Sequence, residues 1–212
     1  MAFPLNQLKR IYEGNCRKYL RIPAMSELVR AFLAFDIDNE DLKKRLTDTQ
    51  KLLAKTGADL KLVEQDNIHM TIRFLGDITL KIAENIFEEM KKVQFNPFTV
   101  KFFGIGVFPS LSYPRVVWAG IAEGATQLQN IFNQLEPNLQ KLGFIPDPKG
   151  FSPHLTIARV RSAFNKPQLV DFVQRNTNYD FGSVRANCLR LKRSELTPRG
   201  PIYSTLKEYC PQ

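Results

Sequence analysis

Histidine is scarce in this chain: its 212 residues include two, His69 and His154. Any histidine chemistry must use one or both. Cysteine is scarce as well. Cys16, Cys188 and Cys210 are far apart and odd in number. They fit neither a disulfide framework nor a zinc spacing, which points to a reducing cytoplasm. No stretch approaches the roughly 18 apolar residues of a membrane helix. The best candidate, Ala31 to Phe35, is closed off by Arg30 and Asp36. A secretory signal, with its apolar core of about 7–15 residues, is also missing from the start. Low-complexity tracts and interior linkers are absent. A hydrophobic fraction of 43% and a charged fraction of 24% belong to a globular domain and exclude a disordered or fibrous chain.

Charge of one sign is in excess, at +9 overall, and it is uneven. Five bases (Lys9, Arg10, Arg17, Lys18, Arg21) against Glu13 give the first 24 residues +4 of that total. Those residues show no strand or helix period. They read as a tag, an upstream start, or a basic arm that adds phosphate contacts. The compact domain is expected from Met25 to the end, residues 25–212. A modestly basic domain suits an anionic partner such as RNA.

From there strands and helices alternate. A strand over 28–35 leads to a helix capped at Asp38-Asn39, carrying Leu42, Leu46 and Leu53 and ended by Gly57. Strands follow at 60–65 and 68–75, then an amphipathic helix with Ile82, Ile86, Met90 and Val93. Strands at 98–108 and 115–121 flank a breaker-rich turn from Pro109 to Pro114. A helix with Leu128, Ile131, Leu135 and Leu139 is expected to kink at Pro137 and stop at Gly143. A strand at 152–160, a helix over 167–176, and strands at 183–193 and 202–209 complete the chain. The pattern is one α+β unit. Trp118 reads as core. Gly104 and Gly106 read as relief of crowding in a strand, and Thr197 to Pro201 as a turn.

Both histidines open the same phrase: His69-Met70-Thr71-Ile72 and His154-Leu155-Thr156-Ile157. In a strand, residues two apart share a face. Each phrase therefore offers an imidazole and a hydroxyl on one side and apolar residues on the other. The repeated order of strand, helix and motif strand suggests two similar lobes facing across a cleft. One neutral imidazole can take a proton from water while a protonated one gives a proton to a leaving oxygen. Threonine hydroxyls can hold non-bridging phosphate oxygens. This set suits in-line displacement at phosphorus, with a nucleotide 2′,3′-cyclic phosphate as a good candidate. Two histidines with no cysteine or paired carboxylate nearby fall short of a zinc site, so no metal and no cofactor is expected.

The paired phrases resemble the signature of the 2H phosphoesterases. The longer run from His69 to Gly76, with Gly104 to Pro109, Arg115 to Gly120 and Leu196 to Tyr203, resembles the RNA 2′,3′-cyclic phosphodiesterases, also described as 2′-5′ RNA ligases. The resemblance spans Met25 to Tyr209. It implies a two-lobed α+β fold: two antiparallel sheets flank a central cleft, with helices outside. It implies metal-free hydrolysis of an RNA 2′,3′-cyclic phosphate to a 2′-phosphate, with His69 as proton donor and His154 as acceptor, assisted by Thr71 and Thr156. By position, Arg159 would face the phosphate and Phe74 would stack on the base. Both have the wrong strand parity relative to their histidines, so each reaches the cleft only if its strand ends or bulges before it. The implied partner is RNA with a cyclic phosphate end, tRNA fragments among the candidates, acted on by a cytoplasmic monomer. The alternatives are ligation, which is the reverse reaction, and RNA binding without catalysis.

Overall fold

The computed structural model describes residues 27–148, 150–198 and 200–211. The expected boundary at Met25 and the basic arm lie outside these residues. The order is β1 (Leu28–Asp36), α1 (Glu40–Ala54), β2 (Leu60–Leu62), β3 (His69–Thr79), α2 (Leu80–Met90), β4 (Phe98–Ser110), β5 (Tyr113–Glu123), α3 (Ala125–Lys141), β6 (Leu155–Val160), α4 (Lys166–Arg175), β7 (Asp180–Ala186), β8 (Leu189–Thr197) and β9 (Gly200–Tyr209). The strands form two antiparallel sheets, ordered β3-β1-β8-β9 and β2-β6-β5-β4-β7. Residues of both sheets join in one buried apolar cluster. The α+β expectation with two sheets is met.

Local chemistry explains the elements. β1 is an inner strand of its sheet, between β3 and β8, and its apolar run from Ala31 to Phe35 is buried. Asn39 caps α1 by accepting from the Leu42 backbone N–H at 3.0 Å, and Glu40 and Asp41 favour its N-terminal dipole. Thr79 caps α2 in the same way. α3 continues through Pro137. Gly106 is flat against the Trp118 indole, where a Cβ would lie 2.2 Å from the ring. Gly104 has a φ of +77° and meets the Thr177 carbonyl. Both glycines thus relieve crowding, as expected.

Three expectations change. The strand expected at 183–193 is two strands, β7 and β8, which belong to different sheets. The break falls at Asn187-Cys188, where the buried apolar positions shift parity from Val184 and Ala186 to Leu189 and Leu191 with no glycine or proline between them. The strand expected from residue 152 begins at Leu155, so His154 stands one residue before it. Cys188 and Cys210 form a disulfide, which ties together the open end of the β8–β9 hairpin. Sequence distance hid this pair, because the hairpin folds residues 22 apart back on one another. With the disulfide, cysteine usage no longer argues for a reducing compartment. Among the described residues, no helix is long and apolar enough to cross a membrane.

Candidate active site

The two motif strands lie in different sheets. β3 carries His69 and Thr71 beside β1, and β6 carries Thr156 beside β5. Their faces meet at a cleft of about 150 Å³ whose lining includes His69, Thr71, Phe74, His154, Thr156 and Arg159. All six residues singled out in the sequence therefore share one cavity. No residue of α1 to α4 lines it. A wider, more open depression of about 610 Å³ lies at the start of α1. Its lining holds three carboxylates, Asp38, Glu40 and Asp41, against the single cation Arg185, and no histidine, so it is a poorer place for a phosphate than the cleft.

A bulge in each strand resolves the parity conflict. In β3, Thr71 faces Ala34 and Arg73 faces Leu33, leaving Ile72 as the extra residue. In β6, Thr156 faces Trp118 and Ala158 faces Val117, leaving Ile157 extra. Each bulge falls on the fourth residue of the His-x-Thr-Ile phrase. It turns the residue five beyond the histidine, Phe74 or Arg159, back to the cleft face. Behind the bulges, each lobe braces the other. Gln50 of α1 donates to the carbonyls of Ile157, at 2.8 Å, and Val63, at 2.7 Å. Arg73 pairs with Glu136 of α3 at 2.9 Å and donates to the Phe74 carbonyl.

The two imidazoles are held alike. The Nδ1 of His69 bonds the Asn67 carbonyl at 2.7 Å, and that of His154 bonds the Ser152 carbonyl at 2.7 Å. In each case the acceptor lies two residues upstream and fixes Nδ1 as the N–H nitrogen. That leaves Nε2 for a ligand. The Asn67 side chain donates in turn to the Pro201 carbonyl, which ties the first histidine to β9. Phe32 and Tyr203 pack on the His69 ring with centroids at 4.7 and 5.1 Å, and Phe108 meets His154 edge-on at 5.0 Å. Burial pushes His69 down to about 4, with Lys192 adding to the effect against the Asn67 carbonyl and Asp36. Burial also lowers His154, and Arg159 pushes the same way. Burial raises Tyr203, while nearby Arg159 opposes the shift. Among the described residues, neither threonine hydroxyl has a partner inside the protein.

Sequence reasoning missed Asn67 and Tyr203 as cleft residues. Asn67 belongs to no repeated phrase. Tyr203 sits in a quoted stretch, but only the return of β9 to the first sheet brings it beside His69. Trp118 shares the cleft face with its partner Thr156, yet it lies on Gly106 and Phe108 and does not line the cavity. The expected turn closes the β8–β9 hairpin, with Thr197 Oγ1 donating to the Gly200 carbonyl. Among the described residues, the group of potential metal ligands is Cys188, Glu208 and Cys210, where the two thiols are consumed by the disulfide.

Comparison with known proteins agrees with this geometry. The family described as LigT like Phosphoesterase matches residues 37–118 and again 120–203. Each match contains one motif, which supports two related lobes. An RNA 2′,3′-cyclic phosphodiesterase of Aeropyrum pernix is 40% identical over 164 residues, covering 77% of this chain and 93% of the relative. One from Methanothermobacter thermautotrophicus is 37% identical over 184 residues, covering 85% and 98%. The solved structure of TT0787 from Thermus thermophilus superposes with a TM-score of 0.69 at 26% identity, covering 85% of this chain and 97% of that one. Escherichia coli LigT complexed with 3′-AMP shares the fold, with a TM-score of 0.70 at 22% identity, covering 87% and 98%. With two copies of the family pattern, one motif histidine in each, and both histidines in one cleft, the chain belongs to the LigT-like phosphoesterase family.

Proposed function

We propose that this protein hydrolyses RNA 2′,3′-cyclic phosphate ends to 2′-phosphates, with His69 and His154 as the acid–base pair. The reading is carried by two imidazoles, anchored alike, that line one cavity with two unpartnered hydroxyls. The curated relatives named RNA 2′,3′-cyclic phosphodiesterase, at 37–40% identity, support the same activity.

The cyclic phosphate lies between the lobes. Nε2 of His154 takes a proton from water, whose oxygen attacks phosphorus. The bond to the 3′ oxygen breaks on the opposite side, and Nε2 of His69 protonates that oxygen. Thr71 and Thr156 donate to the non-bridging oxygens and Arg159 offsets their charge. Phe74, exposed at the rim, stacks on the base. A single chain supplies every group, which supports action as a monomer on RNA ends, those of tRNA fragments included. Catalysis without a metal is part of this reading. Turnover is expected to survive EDTA, with phosphorus NMR showing a 2′-phosphate product. Loss of activity on chelation with rescue by a divalent ion, or a mainly 3′-phosphate product, would overturn the corresponding step.

The lowered histidines set the pH dependence. A donor must carry its proton, yet His69 in the free protein loses it above about pH 4. A bound phosphate anion favours the charged ring and raises that value. Binding at neutral pH therefore takes up a proton. Since kcat/KM reports the free enzyme and kcat the complex, the kcat/KM optimum is expected acid of the ordinary histidine value of about 6.5, and the kcat optimum at higher pH. Two coincident profiles centred on neutrality would contradict this.

A further inference from the structure

Several cations on the sheets sit beside acids. Lys192 and Arg190 share Asp36, Arg73 has Glu136, and Lys207 has Glu84. Two cations of the cleft do not. Lys61 in β2 stands directly across from Arg159 in β6. Both are exposed and both line the cavity. Neither makes an ion pair among the described residues, even though Glu64 also lines the cavity. Like charges directly opposite on an antiparallel pair, with Cβ atoms about 4.5–5.5 Å apart, destabilise it. An edge-strand lysine alone would serve to discourage edge-to-edge pairing. That role does not call for an arginine facing it, nor for a place in the cavity wall.

An anionic ligand relieves the repulsion. Arg159 is turned into the cleft by the Ile157 bulge, where it serves the reacting phosphate. Lys61 lies one strand further out, about 4.8 Å across the sheet. A terminal nucleotide with a 2′,3′-cyclic phosphate has one other phosphate nearby, the diester on its 5′ oxygen that joins it to the rest of the RNA. We propose that Lys61, beside Arg159, forms a subsite for this 5′-side phosphate. The inference rests on the phosphodiesterase reading above and narrows the substrate to oligonucleotide ends over free cyclic nucleosides.

The test compares a nucleoside 2′,3′-cyclic phosphate bearing a 5′-hydroxyl with the same compound bearing a 5′-phosphate. The unaltered protein is expected to favour the 5′-phosphate in kcat/KM by about 10-fold, the scale of one charge-assisted contact. Lys61→Met is expected to bring that ratio near one, and Lys61→Arg to keep it. On a cyclic-phosphate oligonucleotide, the slope of log kcat/KM against log salt should become shallower by about 0.7 in Lys61→Met, the share of one contact on a single strand. A ratio near one in the unaltered protein, or a preference that survives in Lys61→Met, overturns the subsite. Self-association of Lys61→Met with unchanged preference would assign the residue to edge protection and overturn it too. Absence of turnover of both compounds by the unaltered protein would overturn the phosphodiesterase reading itself, and the subsite with it.

Discussion

His69→Ala and His154→Ala are each expected to lower turnover of a 2′,3′-cyclic nucleotide by about 10²- to 10⁴-fold, the range of one positioned proton transfer. Thr71→Ala and Thr156→Ala remove a neutral hydroxyl from a charged phosphate, worth about 1.5–3 kcal/mol or roughly 10- to 150-fold. The histidine changes should thus be the more damaging. Product-analogue binding is expected to persist in both histidine variants, because Thr71, Thr156 and Arg159 still line the cavity. The measurement is steady-state kinetics, with circular dichroism to establish that each variant is folded. A folded histidine variant with a near-normal rate would refute the two-histidine mechanism, whatever the family.

The second large effect concerns the brace behind the first bulge. Arg73 and Glu136 are paired at 2.9 Å with side chains 9% and 12% exposed. Removing one partner strands a buried charge, at a cost of about 3–5 kcal/mol. Glu136→Gln is therefore expected to lower the melting temperature by roughly 10 °C for a domain of this size. The double replacement Arg73→Met with Glu136→Leu should recover most of that loss, since well-packed apolar residues often replace a buried pair at no net cost. Differential scanning calorimetry decides this. An unchanged melting temperature in Glu136→Gln would show that the pair does not brace the lobes.

The residues that carry the proposed chemistry were legible because the phrase repeats. Two histidines each followed, after one apolar residue, by Thr-Ile stand out in a chain with no other histidine. Helix α1 was legible from its cap and apolar spacing, and α2 from its apolar spacing alone. What the local pattern hid is long-range. Ile72 and Ile157 look like ordinary strand residues, and only the partner strand's register makes each one extra. That is why Arg159 and Phe74 carried a parity conflict until the sheets were in view. Gln50 sits on the buried face of α1 among leucines, and nothing near it in sequence foretells the Ile157 carbonyl that it meets. β7 and β8 read as one strand because Val184, Ala186, Leu189 and Leu191 are all buried on either side of a junction without glycine or proline. The disulfide needed the hairpin first.

The junction between β7 and β8 has a mechanical consequence. The backbone passes from one sheet to the other between β1 and β2, back between β2 and β3, across again between β3 and β4, and back once more between β7 and β8. Two bodies joined by one linker swing like a clamshell by default. Here the repeated crossings sew the jaws together, and Gln50 and Glu136 pin each jaw to a helix that follows a strand of the other sheet. The width of the cleft is then a fixed property of the folded chain. For the proposed reaction this predicts a mouth that is already formed among the described residues, through which substrate enters and product leaves without the two sheets parting.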